Sequence, residues 1–62
     1  MWDYIGEMYI YQKNGNKHCS VWYDVYIHCW RWSTVEFVQH HMHIQHGVAF
    51  TASKAMEQAT KE

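Results

Sequence analysis

STVEFVQHHMHIQH, residues 33 to 46, decides the fold of this chain, because it reads two ways. As a helix, Ser33 and Glu36 form a capping box, and Gly47 stands where a helix-ending residue belongs. Glu36, Gln39, His40, His43 and His46 then share a polar arc, while Val35, Phe37, Val38, Met42 and Ile44 fill the other half. As a strand, the segment gains from its Val, Thr, Ile and Phe, and it lacks the Ala, Leu, Lys and Arg that favour helix. Its alternation is broken, however. Val35 and Phe37 have one parity and Val38, Met42 and Ile44 the other, so one continuous strand needs a bulge near residues 37 to 39. A two-stranded ribbon is poorly stable alone, which favours a third strand over a second helix.

Upstream, KNGNK at 13 to 17 marks a hairpin. Asn-Gly suits a two-residue turn in which both central residues take positive φ. Such a turn pairs Lys13 with Asn16, and the register follows outward: Ile10 with Cys19, Met8 with Val21, Gly6 with Tyr23, Tyr4 with Val25, Trp2 with Ile27. Those ten residues form one face, almost wholly apolar. The opposite face mixes Asp3, Glu7, His18, Ser20 and Asp24 with Ile5, Tyr9, Tyr11, Trp22 and Tyr26.

Downstream, Thr51 caps a helix with the stripe Ala52, Ala55, Met56 and Ala59. Phe50 is placed to staple its first turn, and Glu57 and Lys61 are spaced as an ion pair. Because the stripe is mostly alanine, the helix must lie close to whatever it covers.

These elements predict an α+β fold, an antiparallel β-meander of three strands (β-β-β-α) over residues 2–12, 18–30 and 34–46. One C-terminal helix over 51–61 packs on one face. The alternative is a β-hairpin followed by two helices. The 62 residues make a single small domain. A chain this short buries only ~60% of the surface its unfolded form exposes, so a disulfide, a metal or a partner is expected to supplement the core.

The formal net charge is −1. Nucleic-acid binders draw most of their affinity from phosphate neutralisation, and this chain has no basic footprint for it. No apolar run approaches the ~18 residues of a membrane span, and MWDYIGEM has neither the basic start nor the apolar run of a signal peptide. We therefore expect a cytoplasmic protein that does not engage a membrane.

Cys19 and Cys29 fall on one predicted strand, roughly 33 Å apart at ~3.3 Å per residue, too far for a disulfide. Neither belongs to a CxxC pair. Among the histidines, His41 and His43 share one face of a strand, and His40 and His46 the other. An i,i+2 pair supplies two ligands, half of a zinc site, so a site built from His40, His41, His43 and His46 for zinc or another transition metal is a secondary expectation. Solvated polar surface is the first. With no HExxH, no GxSxG and no glycine-rich loop, an enzyme is not expected, and no cofactor is required.

The rings carry the functional reading. Tyr9, Tyr11, Trp22, Tyr26 and Trp30 project from the face opposite the predicted core, with Trp32 beyond them. Contiguous exposed rings mark an interface. The expected function is a non-catalytic interaction module that forms a homodimer or higher homo-oligomer, or binds a protein partner, through an aromatic sheet face or a free edge. Alternatives are a binder of single-stranded nucleic acid, stacking bases on the sheet, and a histidine-based metal-binding protein. GVAFTASKAM, residues 47 to 56, resembles the turn and second helix of a helix-turn-helix, one residue short of that pattern. The sheet-then-helix order is similar to that of many small phage and regulatory proteins. Neither likeness transfers a function, and a DNA-binding regulatory protein stands among the alternatives.

Overall fold

A computed structural model describes residues 2–13 and 15–61. Five antiparallel strands in sequential order form one sheet: β1 (Asp3–Ile5), β2 (Met8–Lys13), β3 (Lys17–Asp24), β4 (Cys29–Val38) and β5 (His41–Ala49). One helix, α1 (Ala52–Thr60), follows and lies across β3, β4 and β5. The small α+β character is as expected, but the three-strand meander is not, and neither is a second helix. Both corrections come from turns that split the predicted strands.

The first is at Gly6 and Glu7, where the strand over 2–12 doubles back. Both residues have positive φ, 57° and 66°, and Ile5 pairs with Met8 across them. This is the two-residue geometry expected of Asn14-Gly15. At that second site the register differs instead: Lys13 pairs with Lys17, leaving three residues between them. Asn14 itself lies outside the described residues. One extra residue in the loop flips every side chain of β2 relative to β3. Tyr9 and Tyr11 therefore join Val21 and Cys19 on one face, and Met8 and Ile10 join Trp22 and Ser20 on the other.

The long predicted strand over 18–30 breaks at a four-residue turn, Val25 to His28, between Asp24 and its partner Cys29. Asp24 shapes that turn by accepting a hydrogen bond from the Tyr26 backbone N–H at 2.9 Å. Cys19 and Cys29 thus belong to different strands, and the register puts them on opposite faces.

The segment over 33–46 is extended, but as two strands. Gln39 and His40 form its turn with φ of 50° and 67°, and Val38 pairs with His41. That turn replaces the expected bulge and accounts for the parity break. Val35 and Phe37 on β4 and Met42 and Ile44 on β5 all emerge on the same side. Two non-glycine residues in left-handed conformations cost about 1–2 kcal/mol each. The nine cross-strand pairs from Val38–His41 to Trp30–Ala49 offset that cost, each contributing about 0.2–1 kcal/mol.

The helix closes one face. Thr51 caps it, its hydroxyl oxygen accepting from the Lys54 N–H at 3.1 Å. Ala55 and Ala59 are buried against Cys19, Val21 and Ala49, with Tyr9, Tyr11, Trp30, Trp32 and Met56 packed around them. Small helix residues let the backbone sit close, and the rings wall in its flanks. Cys19 Sγ reaches the Ala59 carbonyl oxygen at 3.5 Å. Gly47, a helix terminator in the helical reading, is mid-strand, and a Cβ there would come within 2.7 Å of the Trp32 ring. The indole lies flat over that gap and donates from Nε1 to Gln58 Oε1 at 2.9 Å, tying the helix to the sheet. Phe50 does not staple the helix; it stands 90% exposed in the bend after β5. The first-turn ion pair is Lys54–Glu57 at 3.7 Å.

Candidate interaction face

The register sorts the sheet into two faces of unlike chemistry. Under and around the helix are Tyr9, Tyr11, Cys19, Val21, Trp30, Trp32 and Thr34. The other face carries no helix. Across it, at right angles to the strands, run rows of cross-strand neighbours. One row is Ile5, Met8, Trp22, Arg31, Val48. The next is polar at its centre: Ile10, Ser20, Ser33, His46. Beyond it come Gln12, His18, Val35, Ile44, and last the pair Phe37 and Met42. Of the branched aliphatics and methionines on this face, Ile5, Met42, Ile44 and Val48 are exposed, Ile44 by 58% and Val48 by 50%, while Met8, Ile10 and Val35 are half-buried.

The charged groups of the uncovered face are mutually engaged at one end. Arg31 Nε donates to an Asp24 carboxylate oxygen in a salt bridge. That guanidinium hydrogen bond, with the Tyr26 N–H second, holds the Asp24 carboxyl below the usual aspartate value. Arg31 is therefore paired within its own sheet, and among the described residues no Lys is on the rows beside it.

The six rings read as one aromatic surface do not stay together. Tyr9, Tyr11, Trp30 and Trp32 pack around the helix-covered core, Tyr26 is 92% exposed in the β3–β4 turn, and Trp22 alone is on the uncovered face. Of the aliphatic residues of that face, the sequence puts Ile5 beside Trp22 but Met8 on the predicted core face, and Ile44 and Val48 are not among the expected interface residues. The signal for them was the paired parity of Val35/Phe37 and Met42/Ile44, once a turn is allowed at 39–40.

The histidines are also divided. His40 is in a turn, His41 and His43 are on the helix-side face of β5, and His46 is on the uncovered face opposite Ser33. Across the ladder His43 meets Glu36 and His41 meets Val38. Among the described residues no three His, Cys, Asp or Glu side chains come together as a metal-holding group. None of the described helices is long and apolar enough to cross a membrane. No protein-family model, curated protein or solved structure matches the chain.

Proposed function

We propose that this protein is a self-associating interaction module whose uncovered sheet face meets the same face of a second copy. The observation that carries this reading is the mismatch between its two faces. The buried core is Cys19, Val21 and three alanines, and the largest fully buried side chains are Val21 and Cys19. Most of the chain's large aliphatic surface is on the other side. A core that small supplies little of the ~25 cal/mol per Å² that burial yields, so a second layer has much to add.

Size supports the same occupant. The molecule extends 36 × 19 × 18 Å. The five strands, at ~3.3 Å per residue and ~4.8 Å apart, lay out a sheet plane of about 570 Å² per copy. Two such faces bury about 1,100 Å², above the ~1,000 Å² that a specific protein interface has to clear. Two apolar sheets stacked ~10 Å apart are also an ordinary packing arrangement. β5 adds a second contact option, because its outer edge has no strand partner among the described residues.

Sedimentation equilibrium tests the reading. The wild-type chain should associate at micromolar concentration, and Ile44→Lys should shift it to monomer with its β-rich circular dichroism retained. Trp22→Ala should weaken association in the same direction. A wild-type monomer at 100-fold higher concentration would contradict the proposal.

A further inference from the structure

A second site lies at the end of the sheet beyond the helix, where it borders the self-association face at Met8 and Trp22. A hollow of about 480 Å³ opens between the β1–β2 turn and the β3–β4 turn. Its wall is a chain of four rings. Tyr4 and Tyr9 stand 4.8 Å apart between centroids, Tyr9 and Trp30 6.2 Å, and Trp30 and Tyr23 5.4 Å. Successive ring planes are tilted to one another by 55°, 47° and 69°. Tyr9 and Trp30 are anchored against the core, while Tyr4 and Tyr23 remain 62% and 43% exposed and present ring surface to solvent.

The electrostatics of this wall have one sign. Ring faces carry the negative part of the aromatic quadrupole, and among the described residues lining the hollow Glu7 is the one charged group. No Lys or Arg lines it. Glu7 is held at the rim by the tight turn, its φ of 66° fixed between the pairing of Ile5 and Met8. The volume is within the ~300–1,000 Å³ of small-molecule sites. A lining of Tyr and Trp rings with one carboxylate is the chemistry that recognises a soft organic cation, whose charge is too diffuse to demand strong hydration.

The geometry points to a binding site for a trimethylammonium group, walled by Tyr4, Tyr9, Tyr23 and Trp30 with Glu7 as the counter-charge. The headgroup could arrive as free choline or on a trimethylated lysine side chain, and the same experiment separates the two.

Choline, a short trimethyl-lysine peptide and 3,3-dimethyl-1-butanol, the uncharged isostere of choline, are each titrated into the full chain. Binding is followed by two-dimensional NMR of the indole and tyrosine ring resonances. Saturable shifts at Trp30, Tyr4 and Tyr23 are expected with one or both cations in the millimolar range or tighter. The stronger of the two identifies the source. The neutral isostere should bind about fivefold more weakly or worse, the weight of a cation–π contact. Glu7→Gln should weaken the cations about two- to fivefold and leave the isostere unchanged, with the amide spectrum showing an intact fold. Tyr23→Leu, at the solvent end of the wall, should weaken cation binding while the core is left in place. Equal binding of choline and its isostere would overturn the proposal. So would the absence of ring shifts at 50-fold the millimolar scale.

Discussion

The two faces of this sheet solve the same problem differently. On the helix side, small residues make the buried centre and large rings make the flanks: Ala55, Ala59, Ala49 and Val21 in the middle, Tyr9, Tyr11, Trp30 and Trp32 around them. On the other side, Ile5, Met8, Trp22, Val35, Ile44 and Val48 form a broad layer with no helix above it among the described residues. The difference follows from backbone approach. An alanine stripe can come close only to a sheet that offers small side chains at the contact, and the rings then close the sides. A layer of branched aliphatics suits another layer like itself. The first face is covered by the chain's own helix, and the second is the face proposed to meet a partner.

Substitutions on each face should therefore act on different properties. The largest expected effect is on the helix side. Gly47→Val places methyl groups where the Trp32 ring already sits, displacing the indole and its bond to Gln58. A loss of about 3 kcal/mol is expected in urea unfolding, at the upper end of overpacking costs. If Gly47→Val unfolds like the wild type, Trp32 does not hold the helix as described.

Next is a matched pair. Val21→Ala, at the centre of the buried cluster, should cost about 2 kcal/mol by removing two buried methyls. Ile44→Ala deletes more carbon from a side chain that is mostly exposed, and should cost less than about 0.5 kcal/mol under dilution to monomer. At association-competent concentrations the order should narrow, because Ile44 then contributes through the interface. Equal costs under dilution would collapse the distinction between the faces.

A smaller effect concerns the helix end. Thr51→Ala removes the cap on the Lys54 N–H and should cost about 1 kcal/mol, measured by thermal unfolding of the dilute chain.

The smallest effect depends on pH. The Arg31 guanidinium lowers the folded-state pKa of Asp24 below its ordinary 3.8. A depressed carboxylate pKa contributes stability in full above the unfolded value and loses it as pH falls through the folded one. Stability should thus be flat with respect to this group above about pH 5 and decline below pH 4. Asp24→Asn should be less stable at pH 6 and should lack that part of the acid decline, as read from urea midpoints between pH 2.5 and 6.

Some of this was legible in the sequence. Thr51 and the alanine spacing marked the helix, and its closeness to the sheet followed from alanine alone. The hairpin around Gly15 was visible as a reversal, but its loop length was not, and one residue of error exchanged Tyr9 and Tyr11 for Met8 and Ile10. The turns that raised the strand count lacked the usual signals. Gly6-Glu7 has glycine at only one of two left-handed positions, and Gln39-His40 has none. Local preference disfavours such turns, and long-range pairing along β4 and β5 imposes them. The candidate face was therefore hidden for the same reason. It exists only once the turn at 39–40 brings Val35 and Phe37 beside Ile44 and Met42. The ring cluster around Trp30 needed the turn at 6–7 to bring Tyr4 and Glu7 back toward Tyr23.

The central claim is that the uncovered face, and not the ring-walled one, meets a second copy. Methyl and indole NMR spectra recorded across a concentration series test it most directly. On raising the concentration, resonances of Ile5, Met8, Trp22, Ile44 and Val48 should shift together, while those of Val21, Ala55 and Trp32 stay in place. Concentration-dependent shifts confined to Tyr4, Tyr23 and Trp30, or none at all, would contradict it.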